Sequence, residues 1–181
     1  MSSVARQFLS LAEYLAVEER SDTKHEYVSG AMYAMAGARA CHNRMVSSLA
    51  LAVGSAARAE GCDFFMADMK LQIGDTAVYY PDLMVCCNRS DNDELVRRSP
   101  CLIVEVLSPS TATVDRREKL HGYLAIPGLL SYLIVDPETP MVESHVRVSR
   151  DAPWKHQTQG LDGVLFLPCP VVTIDINVLY G

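Results

Sequence analysis

The sequence predicts an α/β fold in a single domain spanning residues 1–181, and three observations carry that prediction. First, an apolar run at Cys101–Leu107, a helix-like segment and a second apolar run at Leu129–Val135 follow one another. Strand, helix, strand at this spacing is a βαβ unit, whose crossover is right-handed and parallel in nearly all proteins. Second, Met45, Leu49, Ala52 and Val53 recur three and four residues apart within residues 39–60, the period of a helix with one apolar face. Third, short apolar or alternating stretches bounded by Gly, Pro, Asn and Asp flank these elements and read as strands. At 181 residues the chain can bury a substantial core without staples.

In chain order, Ser10-Leu11-Ala12-Glu13 has the capping-box pattern and opens a short helix through about Glu18. Residues 26–33 read as a hairpin turning at Ser29-Gly30, and Gly61 is a natural stop for the long helix that follows. Phe64 to Ile73 has strand-forming residue types, and Gly74-Asp75 turns the chain into a strand at 79–85 that carries Asp82. The polar stretch 88–100 reads as a surface loop. Ser108-Pro109-Ser110-Thr111 breaks the next strand and caps a helix at 115–120, which Pro127-Gly128 ends. Val142, Val146 and Val148 alternate with Glu143, His145 and Arg147, the pattern of a strand with one wet face. Two or three shorter strands follow from Trp154.

Composition excludes several classes. With 49% hydrophobic and 21% charged residues the chain reads as an ordinary globular protein. No apolar run approaches the roughly 20 residues that span a bilayer, and residues 1–6 lack a long hydrophobic segment, so the expectation is a cytoplasmic protein with no membrane partner. The six cysteines form no C-x-x-C pair, and Cys86 and Cys87 are adjacent, which on a strand sends them to opposite faces. That spacing does not match structural zinc sites, so the expectation is reduced thiols acting as small apolar fillers. A formal charge of −6 argues against a DNA-coating role. Arg97-Arg98 and Arg116-Arg117-Lys119 either gather at one cleft or form solvated faces.

Glu105 is the most informative residue. A strand this uniformly apolar is covered on both faces, and an ionised carboxylate inside it costs several kcal/mol unless a cation or hydrogen bonds compensate it. One compensation is a structural ion pair with an arginine or lysine. The other is a metal ion shared with Asp82 on the preceding strand, and hard oxygen ligands suit Mg²⁺ or Mn²⁺. Lys119, fourteen residues on, either turns its ammonium to the same spot or pairs with Asp115 on an exposed helix face. Two acids and an amine so placed point to phosphodiester cleavage.

Pro81-Asp82, the segment Val104-Glu105-Val106-Leu107-Ser108-Pro109-Ser110-Thr111, Asp115 through Lys119, Tyr123 and Tyr132 through Pro137 together resemble the Uma-two branch of the PD-(D/E)XK nuclease superfamily. The resemblance runs from about Leu11 to Tyr180. It implies a restriction-endonuclease-like core, αβββαβ, with a mixed β-sheet flanked by helices, extended by the N-terminal helix and hairpin and by C-terminal strands. It implies a metal-dependent endonuclease acting on DNA, with Asp82, Glu105 and the Val106 carbonyl holding Mg²⁺ or Mn²⁺, and a homodimer. The superfamily's third motif position, where lysine is expected, is Leu107 here, and Lys119 matches the lysine that this branch carries on the following helix. Glu26 and His42 match further polar positions of the branch, as a ligand or orienting group and as a phosphate contact or proton shuttle. A member of the fold that binds nucleic acid or protein and has lost turnover is the alternative.

Overall fold

The structure is a computed structural model that describes residues 8–108 and 115–181. Helix α1 (Leu11–Glu18) opens with the expected capping box: Ser10 Oγ accepts from the Glu13 amide at 3.3 Å, and Glu13 Oε2 accepts from the Ser10 amide at 2.7 Å. Strands β1 (His25–Val28) and β2 (Ala31–Ala34) form the hairpin, with Ser29 and Gly30 both at positive φ. Helix α2 (Ala40–Ala59) buries Met45, Leu49, Val53 and Ala57 along one stripe, and Gly61 follows its end at φ 69°.

The stretch expected as one strand from Phe64 to Ile73 is two. β3 (Asp63–Met66) and β4 (Lys70–Ile73) belong to different sheets, separated by Ala67 at φ 51°. The strand expected at 79–85 is likewise split into β5 (Ala77–Tyr79) and β6 (Leu83–Cys86). Pro81 cannot donate to a ladder, and the chain changes sheet across Tyr80, Pro81 and Asp82. The 88–100 segment is not wholly surface: it contains β7 (Val96–Arg97), buried and parallel to β4.

β8 (Leu102–Val106) is buried along its whole length. A π-helical turn, Asp115–Lys119, runs into α3 (Leu120–Leu124), and β9 (Ser131–Asp136) returns parallel to β8, completing the predicted crossover. The turn and cap assigned to Pro109–Thr111 lie outside the described residues. β10 (Met141–Val146), β11 (Lys155–Gln159), β12 (Val164–Pro168), β13 (Val171–Asp175) and α4 (Ile176–Tyr180) complete the chain. The wet face expected of β10 is corrected at His145, which is buried and lies between the rings of Tyr132 and His156.

The six-stranded sheet has the order β11-β10-β9-β8-β6-β3, with only the β8–β9 pair parallel. The five-stranded sheet has the order β2-β1-β5-β4-β7. Between them lies a core of Leu71, Tyr79, Met84, Ile103, Tyr123, Tyr132 and neighbours. On the other face of the six-stranded sheet, α2, α4 and the β12–β13 hairpin cover Leu83, Val85, Leu102, Val104 and Leu133. β3, β6 and β8 form the antiparallel meander of the restriction-endonuclease-like core. No helix among the described residues is long and apolar enough to cross a membrane.

Candidate active site

The chemistry-bearing side chains meet at the seam between the two sheets. The β6–β8 ladder pairs Leu83 with Val104. Carried one step further, that register sets Asp82 opposite Glu105, where directly opposed side chains stand roughly 5 Å apart at Cβ. Asp82 itself lies in the link between sheets rather than in a strand, a correction to the sequence reading that has a consequence. Freed from the ladder, its Oδ2 accepts the Val106 amide at 2.7 Å and lies 3.2 Å from His42 Nε2. His42 comes from the first turn of α2, on the opposite face of the sheet from α3.

Glu105 is buried, at 3% exposure. Tyr123 Oη donates to its Oε1 at 2.7 Å and Lys119 Nζ at 3.2 Å. Lys119 is equally buried, so the alternative of a solvent-facing helix residue is overturned. Its ammonium also lies 2.9 Å from Glu26 Oε1 and 5.3 Å from the centre of the Tyr79 ring. Glu26 reaches the site from β1, whose register with β5 (Tyr27 opposite Val78) brings it alongside Tyr79 and Tyr80. All five predicted residues thus form two chains of contacts, Glu26–Lys119–Glu105 and His42–Asp82, and both end at β8 through Glu105 and the Val106 amide.

The electrostatics follow from burial and charge. The hydrogen bond that His42 donates to Asp82 raises the His42 pKa above its usual 6.5, against the opposing effect of burial. Burial, then the Glu105 charge, pushes Tyr123 well above its ordinary 10. Burial, then Glu26, lifts Tyr79 to about 12. Both phenols are therefore neutral at physiological pH, and Tyr123 donates to Glu105.

Leu107 explains why the third motif position carries no lysine. It is packed in the core between the sheets, and its amide donates to the Val135 carbonyl. The ammonium reaches Glu105 from α3's side instead. Sequence reasoning missed a second polar group next to the site. Buried Glu18 accepts from Tyr80 Oη at 2.8 Å and the His25 amide at 2.8 Å, which anchors the link that carries Asp82. Only the capping box hinted that α1 was a fixed element. Of the two readings open for Arg97 and Arg98, the basic cleft does not form from them. Arg97 is buried, stacked on Phe65 and paired with Asp63, and Arg98 pairs with Asp93.

Over residues 11–178 the sequence matches the Uma2 family, described as "Putative restriction endonuclease". The chain belongs to the Uma2 family. Two uncharacterized proteins of Synechocystis sp. are each 36% identical to it. One alignment spans 152 residues, 82% of this chain and 85% of that protein; the other spans 148 residues, 81% and 77%. A crystal structure from Anabaena variabilis, described as a putative nuclease, superposes with a TM-score of 0.78 at 18% identity, covering 95% of this chain and 97% of that one. That likeness supports a restriction-endonuclease-like fold for this chain. Within it, the Asp82–Glu105–Lys119 arrangement occupies the meander and crossover that the sequence motifs mark.

Proposed function

We propose that this Uma2 protein is a metal-dependent endonuclease that hydrolyses DNA phosphodiester bonds by attack of water. The observation that carries the reading is the meeting of Asp82 with the β8 backbone beside buried Glu105, backed by the Lys119 ammonium. The donor chemistry fits Mg²⁺ or Mn²⁺: two carboxylates and the Val106 carbonyl are hard oxygens. Among the described residues, Asp82 meets protein donors through Oδ2 alone, which leaves Oδ1 for a further partner. Asp82, Glu105 and Val106 would hold the ion, which when bound supplies Lewis acidity and an acidified water. Lys119 fixes Glu105 and Glu26 and places a positive charge behind the reacting phosphate, where charge develops in the transition state. His42, held by Asp82, is placed to contact phosphate or move a proton.

The test is nicking of supercoiled plasmid with Mg²⁺ or Mn²⁺, wild type against Asp82→Ala. Cleavage by the wild type that disappears in the variant supports the reading. One observation favours a binding protein without turnover. Lys119 already has two carboxylate partners, and Arg97 is consumed in the fold. Calorimetric Mn²⁺ binding with no nicking would select that alternative. Exposed Val164, Phe166 and Val171 on the β12–β13 hairpin support a homodimer, which light scattering checks.

A further inference from the structure

Four of the six cysteines converge at the far end of the same meander, against the expectation of scattered reduced thiols. The ladder explains why. Asp63 pairs with Cys86, so the next step outward sets Cys62 opposite Cys87. Cys101 immediately precedes β8, and its amide donates to the Val85 carbonyl. The β12–β13 turn then lays Cys169 over this end. The structure pairs Cys62 with Cys87 and Cys101 with Cys169 as disulfides. The two pairs touch: Cys87 Sγ lies 3.3 Å from Cys169 Sγ and 3.6 Å from Cys101 Sγ. All four belong to the core on the α2 face, while Cys86 points into the other core as a buried thiol. Glu105 is four residue steps along the strand from Cys101, so the cluster stands roughly 13 Å from the acids.

We propose that in the reduced protein these four cysteines form one tetrathiolate site for a soft or borderline divalent cation, zinc first. Zn–S bonds of about 2.3 Å at tetrahedral angles place sulfurs about 3.8 Å apart. The contacts between the two pairs already stand near that spacing. Reduction opens the Cys62–Cys87 and Cys101–Cys169 edges on a fixed sheet end whose Cα–Cα distances are 4.2 Å and 5.9 Å. Cys62 then supplies the fourth corner by rotating its thiol toward Cys87, Cys101 and Cys169, whose sulfurs already lie within 4.8 Å of one another. Two molecules of a dithiol reductant supply the four electrons and four protons that convert both disulfides to thiols. Zinc binding then releases four protons, giving a centre of net charge −2. Arg150 lines the cavity of about 720 Å³ that opens onto Cys87, Cys101 and Cys169, which provides both a counter-charge and an entry path. The absence of C-x-x-C spacing is no obstacle, because neighbouring strands bring the ligands together instead of a local knuckle.

The experiment takes the full chain, reduced and freed of reductant without oxygen, and titrates it with Co²⁺ as a zinc surrogate. A single equivalent should produce thiolate-to-cobalt charge-transfer absorption and the visible bands of tetrahedral cobalt, and Zn²⁺ should displace it. X-ray absorption of the zinc-loaded wild type should show four sulfur neighbours. Cys87→Ser should abolish this uptake and Cys41→Ser should leave it unchanged. The proposal is overturned if all six thiols are counted free and no cobalt band appears. It is equally overturned by a zinc shell with oxygen in place of sulfur, as Glu60 beside Cys62 and Cys87 would give. The absorption measurement needs no variant, so a misfolded Cys87→Ser leaves the test decisive.

Discussion

Lys119→Met removes one buried cation and little volume, which makes it the sharpest perturbation of the site. In the wild type the ammonium touches Glu26 at 2.9 Å and Glu105 at 3.2 Å, with 4% of the lysine side chain exposed. Its loss leaves two carboxylates without that counter-charge, and breaking a buried pair this way costs about 3–5 kcal/mol. For a chain of this length that lowers Tm by on the order of 10 °C. Glu105→Gln should cost less. The amide oxygen still accepts from Tyr123, and Lys119 keeps Glu26. The Tyr123 hydrogen bond becomes a neutral one and the Lys119 contact falls from an ion pair to an ion–dipole contact, a loss of about 1–2 kcal/mol. In the double variant one of the stranded carboxylates is already neutral, so the two costs should fall short of additive by at least about 1 kcal/mol. Urea denaturation followed by Trp154 fluorescence measures all three, read as midpoint shifts at constant slope. A cost below about 1 kcal/mol for Lys119→Met, or strict additivity, would refute the buried three-membered contact.

Tyr123→Phe should cost about 1.5–3 kcal/mol, the worth of a hydrogen bond to a charged group, measured by the same urea series. Asp82→Ala should remove the calorimetric Mn²⁺ signal while the fold, followed by circular dichroism, persists. Glu105→Gln should do the same. His145 gives a pH signature. Burial, then His156, holds its pKa below the usual 6.5. Below that pH the unfolded chain takes up a proton that the folded chain refuses, so stability falls as pH drops from about 6.5 toward the folded pKa. His145→Gln should flatten that part of the midpoint-against-pH curve.

The parts of the fold legible in the sequence are those where one local pattern decides the outcome. The long helix, the hairpin at Ser29-Gly30 and the βαβ unit each carry their own periodicity or turn residues. Glu105 was legible because a carboxylate inside an apolar strand needs a partner, and Lys119 because a returning crossover brings it back. The splits at Ala67 and at Tyr80–Asp82 were not read. Ala67 has no residue type that advertises a positive φ, and nothing local says that consecutive strands join different sheets. Helix α4 was hidden by its β-branched residues, Ile176 and Val178, which favour strands. The meeting of the cysteines and the Glu18–Tyr80 contact depend on register between distant strands, which spacing along the chain does not encode.

The change of sheet at Tyr80, Pro81 and Asp82 has a mechanical consequence. One carboxylate rides on the strap that joins two stacked layers, whereas the other is fixed in the middle of one layer. Any sliding of the layers past each other alters the gap between these acids before it disturbs either layer internally. Compressing or loosening the apolar filling at Leu71, Tyr79 or Ile103 should therefore tune cation affinity without touching a ligand, and a ligand-side cation should in turn stiffen the stack.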